Sequence, residues 1–130
     1  MTWRTVPAPA DRVWPLLADT GWWPRWGPSV RAVEPDGVVI EPGLVGRVQT
    51  AVGPWMGFEI GEVVPGRRWD WSVAGIAATS HVVDPVDEFT CRVGFGVPTA
   101  AAPYLAVCRL ALRRIAALAD DPAISGREWP

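Results

Sequence analysis

Apolar and polar residues alternate along several stretches of the chain between residues 30 and 97. A period of two sends successive side chains to opposite faces of a strand, so this pattern predicts strands with one buried face. The rows expected to face the interior are Met56, Phe58 and Ile60; Trp69, Trp71 and Val73; and Phe89, Cys91, Val93, Phe95 and Val97. The residues expected in water are Arg68, Asp70, Thr90 and Arg92.

Glycine and proline separate these stretches at the spacing of hairpins. The turn sequences are Pro35-Asp36-Gly37, Glu41-Pro42-Gly43, Val52-Gly53-Pro54, Pro65-Gly66, Ala74-Gly75 and Asp84-Pro85-Val86-Asp87. They predict about six antiparallel strands. Residues 76–83 are small or apolar on both faces, so their alternation does not indicate which face is buried.

A helical period precedes the strands. A short strand, Thr2–Val6, is followed by helical spacing over residues 9–19, with Val13, Leu16 and Leu17 on one face. Pro9 suits the first helical turn, whereas Pro15 lacks a backbone donor and is expected to kink or divide the helix. Residues 22–28 are too rich in proline for a long helix and predict a short helical turn or an ordered loop.

A second helix is predicted over residues 99–119. Its apolar stripe consists of Leu105, Cys108, Leu112, Ile115 and Ala119. Antiparallel strands between terminal helices predict an α+β fold, in which a curved sheet of about seven strands surrounds the long C-terminal helix. We expect one domain over residues 1–119, a tail over residues 120–130, and a ligand pocket between the sheet and the helix.

Composition and charge argue against several classes of function. The 130 residues carry a net charge of −2 without a basic cluster, so nucleic acid is not an expected partner. No apolar run reaches the length that crosses a bilayer, and the N-terminus does not resemble a secretory signal, so we expect a cytoplasmic protein without membrane insertion. The absence of lysine excludes Schiff-base chemistry.

The sequence also contains few residues that could bind a metal ion. His81, Cys91 and Cys108 are the only histidine and cysteine residues, too few for a four-ligand zinc site. We therefore expect no metal and no cofactor, and we expect both cysteines to be reduced residues of the core. Nine tryptophans are many for a chain of this length, and they suit a wall that meets a flat apolar ligand or an interior filled by its own rings.

Several segments resemble the START-like (SRPBCC, helix-grip) superfamily and its bacterial polyketide cyclase/dehydrase-type proteins. The matching segments are residues 6–14, with Ala8-Pro9 and Val13-Trp14; Trp26-Gly27-Pro28; Pro42-Gly43-Leu44-Val45-Gly46; Pro65-Gly66-Arg67-Arg68-Trp69; and the hairpin over residues 84–93, where Phe89-Thr90 replaces the usual Gly-Thr. The ordered set covers residues 2–119. It implies the helix-grip fold, which carries lipid carriers, hormone receptors and cyclases alike.

Candidate site residues follow from the inward rows and the resemblance. The expected ligand-binding residues are Phe58, Trp69, Trp71, His81, Phe95, Tyr104 and Leu112. His81 is also the candidate catalytic base, because imidazole titrates near neutral pH. Glu62 is expected either at the pocket face, paired with Arg47 or Arg67, or in an exposed ion pair. The cluster of Trp22, Trp23 and Trp26 is expected to brace the pocket mouth or to hold the short helix.

Three functional hypotheses stay open. The first is a protein that binds a small hydrophobic molecule, such as a polyketide, lipid or isoprenoid. The second is an enzyme of the aromatase/cyclase type in which His81 or a tyrosine moves protons. The third is a protein whose pocket is filled by its own tryptophans and which acts through protein contacts. The scarcity of acid and base groups favours the first over the second; a homodimer is left open.

Overall fold

Seven antiparallel strands form one curved sheet in the computed structural model, which describes residues 1–121 apart from the side chains of Thr99, Ala100 and Ala102. The strands are β1 (Thr2–Val6), β2 (Val30–Glu34), β3 (Val45–Thr50), β4 (Trp55–Val64), β5 (Arg68–Val73), β6 (Ile76–Pro85) and β7 (Cys91–Gly96). Their order is β1-β7-β6-β5-β4-β3-β2, so the first strand pairs with the last. The predicted α+β fold is confirmed. Of the predicted tail, the part beyond Asp121 lies outside the described residues.

The four connections between β2 and β6 each contain glycine with a positive φ. Gly37, Gly43, Gly53 and Gly66 all have φ between 69° and 116°. Between β5 and β6, Ala74 and Gly75 have φ of 53° and 77°. A two-residue loop with positive φ at both positions matches the right-handed twist of the flanking strands.

Three helices accompany the sheet: α1 (Ala10–Ala18), α2 (Trp23–Trp26) and α3 (Leu105–Asp120), with 3₁₀ turns at Thr20–Trp22 and Thr99–Tyr104. Pro15 lies inside α1, which nevertheless continues as one helix. The last helix begins later than predicted. Ala101, with φ −106° and ψ 20°, departs from helical geometry, and Pro103 cannot donate a backbone hydrogen bond. Residues 99–104 therefore form a separate 3₁₀ segment before α3.

Helix α3 packs against β1, β7, α1 and α2 through one buried stripe. The stripe consists of Cys108, Ala111, Leu112, Ile115, Leu118 and Ala119, and it faces a core that includes Val93 and Phe95. The prediction that Leu112 and Ile115 are buried under the sheet is confirmed. Among the described residues, no helix is both long and apolar enough to cross a membrane.

Two of the rows predicted to face the interior are wrong at their first residue. Phe89 is 74% exposed, because residues 86–90 form the turn before β7, and the Phe89 N–H donates to the Asp87 carboxylate at 2.8 Å. The inward row of β7 therefore begins at Cys91. Met56, near the start of β4, is 38% exposed, whereas Phe58 and Ile60 of the same row are buried.

Glu62 does not face the interior. The β4–β5 register shifts between Ile60 and Val63, and this bulge gives the inward position opposite Trp69 to Val63. The Glu62 side chain is 64% exposed, and its carboxylate lies 3.8 Å from the Arg68 guanidinium. Glu62 therefore forms an exposed ion pair, with Arg68 rather than with Arg47 or Arg67.

Candidate functional site: an apolar cavity beside an aromatic cluster

The short helix α2 places two indoles inside the core. Trp23 and Trp26 are both buried, and their spacing of three residues puts them on one face of the helix. The Trp23 indole N–H donates to the Leu17 carbonyl at 2.8 Å, and the Trp26 indole N–H donates to the Leu16 carbonyl at 2.7 Å. These carbonyls belong to the last turn of α1, where the helix itself provides no donor. The two indoles thus hold α2 from inside the core, not at a pocket mouth.

These indoles join side chains of β4–β7 in a continuous aromatic cluster. Its members are Trp23, Trp26, Phe58, Trp69, Trp71, His81 and Phe95. The Trp23 ring is stacked on the Trp69 ring and contacts the rings of Phe58 and Trp71 edge-on. The cluster fills most of the space between the middle of the sheet and α3.

His81 lies within this cluster, between the Trp69 ring at 3.8 Å and the Phe95 ring at 4.8 Å, centroid to centroid. Its Nδ1 lies 3.2 Å from the Trp69 carbonyl oxygen, which can only accept, so Nδ1 carries the proton. Its Nε2 therefore accepts from the Thr79 hydroxyl at 2.9 Å. That hydroxyl in turn accepts the Trp71 indole N–H at 2.9 Å. Both imidazole nitrogens are engaged within the protein.

Burial determines the charge state of His81. The side chain is 2% exposed, and desolvation lowers the pKa of His81 from 6.5 to about 3, although the hydrogen bond to the Trp69 carbonyl acts in the opposite direction. The imidazole is therefore neutral at physiological pH. A base with so low a pKa takes up a proton weakly.

An open cavity of about 520 Å³ lies on the inner face of the sheet, at the end where the β5–β6 hairpin turns. The 3₁₀ segment before α3 forms part of its wall. The lining residues are Ser29, Val30, Val48, Thr50, Ala51, Val52, Trp71, Val73, Ile76, Ala77, Ala78, Thr79, Val97, Pro98, Ala101 and Tyr104. None of the described residues that line it carries a charge.

The polar side-chain groups among the described lining residues are four hydroxyls and the Trp71 indole N–H, which Thr79 already accepts. The Ser29 and Tyr104 hydroxyls hydrogen-bond to each other and join the start of β2 to the 3₁₀ segment. Burial raises the pKa of the Tyr104 phenol, while its bond to Ser29 acts against that rise. The Thr79 proton is donated to His81, and the Thr50 Oγ1 is shielded and makes no hydrogen bond. Among the described lining hydroxyls, the Ser29–Tyr104 pair therefore holds the accessible donor.

A second, much smaller space of about 40 Å³ lies between the aromatic cluster and α3. It shares with the large cavity the residues Ser29, Val30, Trp71, Thr79 and Tyr104. These five residues form a partition between two compartments, one open and one nearly filled.

The structure brings most of the sequence-predicted site residues together. Phe58, Trp69, Trp71, His81 and Phe95 all belong to the aromatic cluster. Trp71 and Tyr104 line the large cavity; Trp69, His81 and Phe95 line only the small one. Phe58 and Leu112 line neither. Leu112 lies instead where α3 meets β1.

The interior positions of Trp23 and Trp26 and the lining role of Ser29 were missed in the sequence. The spacing of Trp23 and Trp26 indicates a shared face, but a four-residue helix does not reveal which face meets the sheet. The two cysteines are free and buried, as predicted. Burial raises the pKa of Cys91 to about 11 and also raises that of Cys108. Within residues 1–121, no three His, Cys, Asp or Glu side chains form a metal-binding group.

Comparison with known proteins gives one family match. The family model described as "Polyketide cyclase / dehydrase and lipid transport" matches residues 2–120. No curated protein matches the sequence.

Solved structures resemble the chain in fold. Protein MLL2253 from Mesorhizobium loti aligns over 92% of this chain and 94% of its own, with a TM-score of 0.71 and 11% identity. Protein CV1439 from Chromobacterium violaceum aligns over 92% and 95%, with a TM-score of 0.64 and 20% identity. The di-domain ARO/CYC BexL, from the BE-7585A biosynthetic pathway, aligns over 93% of this chain and 47% of its own, with a TM-score of 0.69 and 19% identity.

Proposed function

The chain belongs to the polyketide cyclase/dehydrase and lipid transport family, and we propose that it acts as a binding protein for a small hydrophobic molecule. The observation that carries this proposal is the charge-free cavity of about 520 Å³ beside Trp71. Pockets for small organic ligands have volumes of roughly 300–1,000 Å³ and mostly apolar linings. The Trp71 ring, held through its N–H by Thr79, offers a fixed aromatic surface for stacking.

The enzymatic alternative has family support, since the family description includes cyclase and dehydrase activities and one structural neighbour is an ARO/CYC protein. Catalysis by His81 would require the imidazole to reach a substrate. Its Nε2 is already bonded to Thr79, and the ring does not line the large cavity. Tyr104 does line that cavity, but its raised pKa makes its phenol a poor acid at neutral pH. These features support binding over proton transfer.

The filled-interior alternative also has one supporting observation, because the aromatic cluster leaves only about 40 Å³ next to α3. The large cavity lies at the hairpin end instead, where Ala77 and Ala78 leave space that larger side chains would fill. The tryptophans therefore fill one part of the interior and leave another open to a ligand.

The proposal is tested with bicyclic aromatic probes. We expect 2-naphthol and 2-acetylnaphthalene to raise the melting temperature, since a ligand that binds only the folded state at 100 times its Kd stabilises by about 2.7 kcal/mol. Ala78→Phe places a ring in the cavity and should abolish the shift. Val64→Phe adds the same ring at an exposed strand position outside the cavity and should preserve it. Unchanged melting with a panel of naphthalenes, alcohols and fatty acids would refute the proposal.

A further inference from the structure

We propose that the cavity selects uncharged molecules that carry a hydroxyl or carbonyl group, and that the Ser29–Tyr104 hydroxyl pair recognises this group. The inference rests on the proposed function and adds the chemical class of the ligand. It is carried by two observations: the absence of charge from the described lining and the hydrogen-bond inventory of the four hydroxyls.

The lining discriminates against ionised groups. A carboxylate, phosphate or ammonium group that enters the cavity loses hydration, and no described lining residue provides a compensating charge. Four ion pairs of the described residues lie outside this lining: Glu34 with Arg47, Asp84 with Arg67, and Arg68 with Glu62 and Asp70. A neutral hydroxyl or carbonyl has a much smaller desolvation cost, and a single hydrogen bond can offset it.

The Ser29–Tyr104 pair can provide that hydrogen bond. Two hydroxyls hold two protons, and the bond between them uses one, so the other proton remains a donor. Each oxygen also retains capacity to accept. The pair can thus donate to a ligand carbonyl or exchange hydrogen bonds with a ligand hydroxyl. The Tyr104 phenol is protonated at neutral pH, and burial raises its pKa further.

Thr79 and Thr50 are less suited to this role. The Thr79 hydroxyl accepts from Trp71 and gives its proton to His81, so it has no donor left for a ligand. The Thr50 Oγ1 is buried and has no hydrogen-bond partner, so a ligand reaches it only if a neighbouring side chain moves. The Ser29–Tyr104 pair also belongs to the partition between the two compartments, which places the polar end of a ligand beside Trp71.

The test compares four probes on one bicyclic scaffold by calorimetry at pH 7.5: 2-methylnaphthalene, 2-naphthol, 2-acetylnaphthalene and 2-naphthoate. We expect 2-naphthol and 2-acetylnaphthalene to bind at least about 10-fold more tightly than 2-naphthoate. They should also bind about 3- to 10-fold more tightly than 2-methylnaphthalene, the range for one net hydrogen bond. Equal binding of 2-naphthoate would overturn the selection of uncharged molecules while leaving the proposed function intact.

Variants test the hydroxyl pair. Ser29→Ala combined with Tyr104→Phe should remove the preference for 2-naphthol over 2-methylnaphthalene, while the Kd of 2-methylnaphthalene changes less than about 2-fold. Each single variant keeps one hydroxyl and should retain part of the preference. If the double variant does not fold, the single variants provide the test: each should then show a smaller preference than the wild type. Ser72→Ala removes a hydroxyl outside the cavity and should change nothing. A preference that survives in the double variant overturns the role of the pair. Failure of all four probes to bind the wild type overturns both this inference and the proposed function.

Discussion

The indole of Trp23 lies on the indole of Trp69, with ring centroids 5.1 Å apart and planes inclined by only 9°. One ring comes from the four-residue helix α2, and the other from the middle of the sheet. A helix this short has little stability of its own. Its position depends on this stack and on the two indole hydrogen bonds to α1.

Replacement of Trp23 should therefore destabilise the protein strongly. We expect Trp23→Ala to lower the free energy of unfolding by about 3–5 kcal/mol, because it leaves a large cavity and frees the Leu17 carbonyl. Trp22→Ala is the matched control, since Trp22 is only half-buried beside Arg25, and it should cost clearly less than Trp23→Ala. Urea denaturation measures both. Equal losses would show that the stack on Trp69 does not stabilise α2.

The end of the core near β1 offers an independent test. Leu112 is fully surrounded, and Leu112→Ala should cost about 2–5 kcal/mol through a core cavity. Leu110→Ala makes the same change at a half-buried position of α3 and should cost clearly less. Thermal and urea unfolding compare the two variants. A Leu112→Ala protein as stable as the wild type would contradict the packing of α3 against the sheet.

The neutral, buried state of His81 predicts an acid-sensitive fold. The folded-state pKa, about 3, lies below the ordinary 6.5, so the unfolded chain binds the extra proton first. The stabilisation is complete above pH 6.5 and is lost as the pH falls from 6.5 towards 3. The slope from this residue alone reaches about 1.4 kcal/mol per pH unit.

His81→Phe should remove that part of the pH dependence while costing stability at neutral pH, because the Trp69 carbonyl loses its donor. Denaturation at pH 7.5, 6, 5 and 4 compares the slopes, and the carboxylates common to both proteins contribute equally to them. Parallel curves for wild type and variant would show that the pKa of His81 is the same in the folded and unfolded chains, which would contradict its burial as a neutral side chain.

A fourth prediction concerns the outer face of the sheet. A Cβ at Gly94 would lie 2.6 Å from the Trp3 ring, which covers this glycine. Gly94→Ala should cost about 1–2 kcal/mol, because the ring has to move. In a Trp3→Ala background the same change should be neutral or stabilising by up to about 1 kcal/mol, since alanine restricts the unfolded chain. If Gly94→Ala costs as much stability in the Trp3→Ala variant as in the wild type, the alanine Cβ must clash with a residue other than Trp3.

The sequence predicts the inward direction of Phe58, Trp69, Trp71 and Phe95, because strand alternation depends only on a period of two. The same reasoning fails at Glu62. A bulge between Ile60 and Val63 changes which residues, odd-numbered or even-numbered, face the interior. Alternation alone does not reveal where such an extra residue is inserted.

The location of the cavity is harder to predict, because it depends on how segments distant in sequence fit together. Ser29 and Tyr104 are 75 residues apart in sequence, and Tyr104 lies in the 3₁₀ segment that precedes the start of α3 at Leu105. Small residues such as Ala77 and Ala78 leave room, but whether another segment fills that room is a property of the whole fold. The sequence thus predicts the walls of the site better than the empty volume between them.

The two buried thiols can report how the folded protein opens, because each reacts only when its own segment is exposed. Cys91 lies on β7 and Cys108 on α3, so one thiol belongs to the sheet and the other to the helix that covers it. A thiolate reacts with a disulfide reagent only after exposure, and burial raises the pKa of both groups. If α3 frays while the inner face of β7 stays covered, Cys108 is labelled before Cys91. If the domain opens as one unit, both are labelled at one rate, and the order of labelling reports how the molecule comes apart.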